Sequence, residues 1–124
     1  MKKVIFIALL SFPLASLADH LDVIQMKLGE DCSVEEYVAI IQDFNEQWGK
    51  DYGYEAELAV PLQGEDLGSL YWVGRSANAE AFGKAWDAWR DAQSDSTSLA
   101  AKLQARFNAC GELNESRHSY DTYK

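Results

Sequence analysis

The chain is short of the residues from which most catalytic and metal centres are built. Among its 124 residues there are two cysteines, two histidines, two methionines and two prolines. Cys32 and Cys110 are too far apart for a CxxC redox pair, and two thiols are too few for a structural zinc site. No glycine-rich phosphate loop, GxSxG elbow, HExxH helix or Cys–His zinc spacing occurs. Positive charge is also scarce, with 11 Lys and Arg against 20 Asp and Glu and a formal net charge of −9. Phosphates would be repelled and no basic stripe compensates, which excludes nucleic acid as a partner and argues against anionic membrane surfaces. The acid excess reads as a solvated surface. Fifteen aromatic residues, four Trp, six Tyr and five Phe, are ample for a packed core.

The one long apolar run is at the start. Lys2 and Lys3 precede an apolar segment from residue 4 to 17, Pro13 interrupts it, and Ser16-Leu17-Ala18 sets small residues at the −3 and −1 positions. A spanning helix needs about 20 apolar residues; this run is shorter, contains proline and ends in small residues. It reads as a bacterial-type signal peptide over residues 1–18, cut after Ala18. The expected product is periplasmic or secreted and free of the membrane, with residues 19–124 forming a single domain. The leader carries two lysines and no acid, so the remaining chain keeps 9 basic and 20 acidic residues, a charge of −11. In an oxidising compartment, an even pair of cysteines implies one disulfide, Cys32–Cys110. Closing so long a loop stabilises by about 4 kcal/mol on the chain-entropy account.

Periodicity divides the rest. Residues 20–28 read as a strand and Gly29-Glu30-Asp31 as a turn. Ser33-Val34-Glu35-Glu36 is a capping box, followed at helical spacing by Tyr37, Val38, Ile41, Phe44 and Trp48, with Gly49 as the expected stop. From Tyr52 the period drops to two: Tyr52, Tyr54, Ala56, Leu58 and Val60 alternate with Gly53, Glu55, Glu57, Ala59 and Pro61 over 52–62. An aromatic strand over 69–74 completes a hairpin. Residues 76–92 are helical, with Phe82, Trp86 and Trp89 on one stripe. Asp95-Ser96-Thr97-Ser98 interrupts, and Leu99, Leu103 and Phe107 resume the pattern, giving either one kinked helix or two. The last expected strand, 115–123, has His118 and Tyr120 on one face and Arg117, Ser119 and Asp121 on the other.

The order is therefore β-α-β-β-α-β, two β-α-β units that combine into the split, ferredoxin-like α+β arrangement. Right-handed crossovers give strand order 4-1-3-2 in a four-stranded antiparallel sheet with the helices on one face. In that topology Cys32 precedes the first helix and Cys110 follows the second helical region, so both fall at the same end of the domain. The topology thus brings together the two residues that composition pairs.

This layout, with the runs Tyr71-Trp72-Val73-Gly74-Arg75-Ser76 and Phe82-Gly83-Lys84-Ala85-Trp86, resembles the dimeric α/β-barrel superfamily, which includes antibiotic-biosynthesis-monooxygenase-like domains. The resemblance implies a homodimer whose open sheet faces meet and a pocket between helices and sheet. It also implies two functional readings: a domain binding a small molecule or a protein partner without catalysis, and a cofactor-independent or haem-linked oxidoreductase. No catalytic set of that superfamily maps onto this chain, and no cofactor is indicated. His118, Tyr120 and Tyr71, with Arg75 near the rim, are the residues expected to line an open sheet face or a ligand pocket, because imidazole, phenol and guanidinium can hold an acidic or aromatic ligand. His20 and His118 are expected out of register, not in a shared metal site. Glu55 and Glu57 share a strand face and read as charges that guard a sheet edge. Trp72, Trp86 and Trp89 read as helix-to-sheet packing or, less simply, as an aromatic cage.

Overall fold

The structure, a computed structural model, describes residues 19–124. The expected leader lies outside the described residues. Four strands, β1 (His20–Lys27), β2 (Glu55–Ala59), β3 (Leu70–Ser76) and β4 (Leu113–Asp121), form one antiparallel sheet in the order β2-β3-β1-β4. Three helices, α1 (Val34–Gln47), α2 (Ala79–Ala92) and α3 (Leu99–Ala109), complete it. This is the ferredoxin-like α+β fold with the expected strand order. Cys32 and Cys110 are bonded, with their Cα atoms 5.0 Å apart.

Local chemistry sets the ends of the elements. The Ser33 capping box forms in full: the Ser33 hydroxyl accepts from the Glu36 N–H, and the Glu36 carboxylate accepts from the Ser33 N–H at 2.8 Å. The first helix does not stop on Gly49, as its spacing suggested. It ends at Gln47, and Gly49–Tyr52 continues as a 3-10 turn. The residue with positive φ is Gly53, at 62°. The expected strand over 52–62 shrinks to Glu55–Ala59 because its first residues are used in that turn. At the other end of the hairpin, Ser76 belongs to β3, opposite His20, and not to the following helix. That helix starts at Ala79, where the Asn78 side chain accepts the Ala81 N–H at 2.8 Å.

The interrupted helix is broken in two. Asp95 accepts from both the N–H and the hydroxyl of Thr97, and Ser98 caps α3 by accepting from the Ala101 N–H. Ser98 also donates to the Ala92 carbonyl at 2.7 Å, satisfying an end carbonyl of α2. The polar stretch is thus a double cap, and the chain turns there instead of bending.

The core lies between the helices and one face of the sheet. Met26 and Tyr37 are fully buried, and Ile40, Ile41, Phe44, Trp72, Trp89, Leu103 and Phe107 surround them. Phe44 is the hub: its ring centroid lies within 6.2 Å of those of Trp48, Tyr54, Trp72, Trp89 and Phe107. Gly74 is required by this packing, since a Cβ there would fall on the Tyr54 hydroxyl and the Cζ that carries it. The opposite face of the sheet has no covering layer among the described residues.

Candidate functional site

Alternation along β1 puts Asp22 among apolar neighbours. It shares the helix-facing side with Ile24 and Met26, and its side chain is 2 % exposed. A carboxylate so placed needs charged and hydrogen-bonding partners. They come from the neighbouring strand and from across the core. Arg117 on β4 donates through Nε and Nη2 to the two Asp22 oxygens, both at 2.7 Å. Tyr54 donates its hydroxyl to Asp22 at 3.1 Å, and that oxygen accepts from the Trp72 indole N–H at 2.7 Å. Burial, first, and the nearby Asp22 charge push the Tyr54 phenol well above its ordinary value, so it stays protonated and donating. Burial alone would lower the Arg117 pKa; its hydrogen bonds and attraction to Asp22 reverse this and raise it.

The Arg117 guanidinium is also stacked. Its Cζ lies 4.1 Å from the centroid of the Trp86 ring and 5.7 Å from that of Phe82, both on α2. Between this strand–helix contact and the Phe44 hub is a cavity of about 140 Å³. Its wall is largely aromatic, built from Phe44, Trp48, Tyr54, Trp72, Phe82, Trp86, Trp89 and Phe107, with Ile24 and Ala85. Its polar groups are Asp22, Gln104, Glu112, Asn114 and Arg117. Most of these already have protein partners. Trp89 donates to Gln104 at 3.2 Å, and Tyr37 donates to Glu112 at 2.8 Å. Burial raises the Glu112 pKa, against the opposing effect of hydrogen bonds from Tyr37 and Asn114.

The residues singled out from the sequence lie elsewhere. Tyr71 opposes Gln25, Arg75 and Tyr120 oppose Leu21, and His118 opposes Val23, so all four project from the open face of the sheet. His118 and Tyr120 come together, with ring centroids 6.3 Å apart. Tyr71 and Arg75 lie across β1 from them. Arg75 pairs with Glu57 at 3.2 Å and approaches Asp19 at 3.8 Å. The two histidines fall on opposite faces: His20 is helix-facing, with Nδ1 2.9 Å from the Asp121 carboxylate. Among the described residues no group of three or more His, Cys, Asp or Glu side chains is placed to hold a metal ion.

Sequence reasoning gave Trp72, Trp86 and Trp89 as packing or a cage, and all three line the cavity. It passed over Asp22, Tyr54 and Arg117. A signal for Asp22 was available, because an acid in phase with Ile24 and Met26 on a half-buried strand has to be paired. The identity of its partner was not legible, since Arg117 is 95 residues away.

No protein-family model matches the chain, and no curated protein matches it. Among solved structures it is similar to a dimeric protein of unknown function and ferredoxin-like fold from Bacteroides fragilis NCTC 9343. That similarity is 14% identity over 86% of this chain and 96% of the other, with a TM-score of 0.40. A second is a conserved protein of unknown function, described as a possible oxidoreductase, from Bacteroides thetaiotaomicron VPI-5482. There the identity is 11% over 87% of this chain and 99% of the other, with a TM-score of 0.49.

Proposed function

We propose that this protein is an exported, homodimeric domain that binds a small molecule in the cleft between its helices and sheet. The observation that carries the reading is the aromatic cavity beside the buried Asp22 carboxylate and the partly exposed Arg117 that pairs with it through two hydrogen bonds. Such sites are concave, mainly apolar, and carry a few fixed polar groups. Binding is favoured over an oxidoreductase because the acid–base groups of the wall are committed. Asp22 is held by Arg117 and Tyr54, Glu112 by Tyr37, and Tyr54 retains its proton. Export is supported by the leader pattern and by the Cys32–Cys110 disulfide. Among the described residues no helix is long and apolar enough to cross a membrane.

The open face is the homodimer contact in this reading. Leu21, Val23, Tyr71 and Val73 give it an apolar centre, and His118, Tyr120 and the Arg75–Glu57 pair give it a polar border.

Benzene tests the cleft, and native mass spectrometry tests the assembly. In benzene-saturated buffer the indole N–H resonances of Trp86 and Trp89 should shift, and they should not shift in Ala85→Leu, which fills the cavity. Unshifted indoles in the wild type would overturn the cleft. Protein exported from its own leader should fly as a dimer of chains beginning at Asp19, each with one disulfide. A monomer would overturn the dimer contact, and retained residues 1–18 would overturn cleavage.

A further inference from the structure

The chemistry of the wall narrows what the cleft accepts, given the binding reading above. A cavity of about 140 Å³ is the size of one aromatic ring; dry apolar cavities of about 150 Å³ take up benzene. The electrostatics then select among single-ring molecules. An anion entering beside Arg117 would also approach Asp22, whose side chain is 2 % exposed and whose charge already balances the guanidinium. A cation would be drawn to Asp22 and to the Trp86 face, but Arg117 holds both positions, at 2.7 Å and 4.1 Å. The pair therefore attracts neither sign and disfavours both, because an added charge would be desolvated in the cleft without an unpaired counter-charge.

One guanidinium nitrogen is left without a partner. Arg117 lines the cleft with a side chain 36 % exposed; it reaches Asp22 through Nε and Nη2, and its Nη1 group has no protein acceptor among the described residues and is open to a ligand that displaces water. Nη1 can serve an uncharged acceptor without altering the charge balance. We propose that the cleft takes an uncharged single-ring aromatic molecule bearing one hydrogen-bond acceptor, with the ring among Phe44, Trp72 and Trp89 and the acceptor on Nη1 of Arg117. Arg117 is then a specificity-determining residue: it excludes charged rings through its pairing with Asp22 and orients neutral ones through its free edge.

Four probes of similar size test this by calorimetric titration at neutral pH: benzamide, toluene, benzoate and benzylammonium. Benzamide should bind tightest, by about tenfold over either charged ring and severalfold over toluene, the worth of about one hydrogen bond. If none of the four binds, the cleft reading itself falls, and this inference with it. If benzoate or benzylammonium binds tightest, the cleft reading stands and the ligand class proposed here is wrong. Toluene equal to benzamide would remove the acceptor from the proposal. In the paired variant Asp22→Asn/Arg117→Gln, which keeps an amide pair in place of the ions, the penalty on the charged rings should shrink. An unchanged preference in a folded variant would overturn the role given to Arg117, and the wild-type series stands as a test even where that variant does not fold.

Discussion

The two faces of one sheet solve opposite problems with the same alternation. On the helix side, Asp22, Trp72 and Arg117 are drawn into a hydrogen-bonded chain beneath an aromatic wall. On the open side, residues one step along the same strands, Tyr71, Arg75, His118 and Tyr120, are half-buried or exposed, and Arg75 makes only exposed ion pairs. The Asp22 charge on the covered face is held because its partners replace water; a charge on the open face is held because water remains. The difference shows that residue type alone does not say which face of the sheet a side chain takes. Histidine and tyrosine stand on the open face, and the cleft lies where an acid and an arginine sit among tryptophans.

That contrast can be broken most severely at Asp22. Asp22→Ala leaves the partly exposed Arg117 without its counter-charge and Tyr54 without its acceptor, and should cost about 2–3 kcal/mol in urea unfolding; a loss below about 1 kcal/mol would make the two faces energetically alike. Gly74→Ala forces a methyl onto the Tyr54 hydroxyl and should cost about 1–3 kcal/mol. Gly83→Ala in α2 meets nothing within 4 Å and should be neutral or stabilising by up to about 1 kcal/mol. On the open face, Tyr71→Ala should weaken dimerisation by about 2 kcal/mol in sedimentation equilibrium while leaving far-UV circular dichroism unchanged.

The sign of a pH effect at Glu112 sharpens the comparison further. Its pKa is raised by burial, so the folded state favours the protonated carboxyl, and stability falls as pH rises through the folded pKa. Glu112→Gln keeps an acceptor for Tyr37 and should melt higher than wild type at pH 8, with the two curves converging in acid. A gap that widens in acid would reverse the assignment. The smallest effect is expected at Glu57→Ala, whose exposed pairing with Arg75 is worth about 0–1 kcal/mol.

Much of the fold was legible because its signals are local. The capping box at Ser33, the period change at Tyr52 and the polar break at Asp95 each act within a few residues, and each survives in the structure, shifted at its ends. Gly49 misled because a glycine after a helix has two uses. Here it gives room against the Tyr54 carbonyl, while Gly53 supplies the left-handed turn. The cleft was legible only in part. Helical spacing marked Trp86 and Trp89, but stacking of Arg117 on Trp86 depends on β4 lying beside β1, with a register shift between Gln25 and Met26.

The amino-acid order by itself determined the elements, the acidic surface, the sequence of strands and helices, and a pair of cysteines that the topology could join. Those follow from backbone preference, hydrophobic period and charge, which are properties of short segments. Only the tertiary structure decided which face became a pocket. A cavity, a buried carboxylate with its arginine and an unpaired guanidinium edge are relations among residues far apart in the chain, and they exist only once the sheet has set Asp22 against Arg117 and the helices have brought Trp86, Trp89 and Phe107 over them.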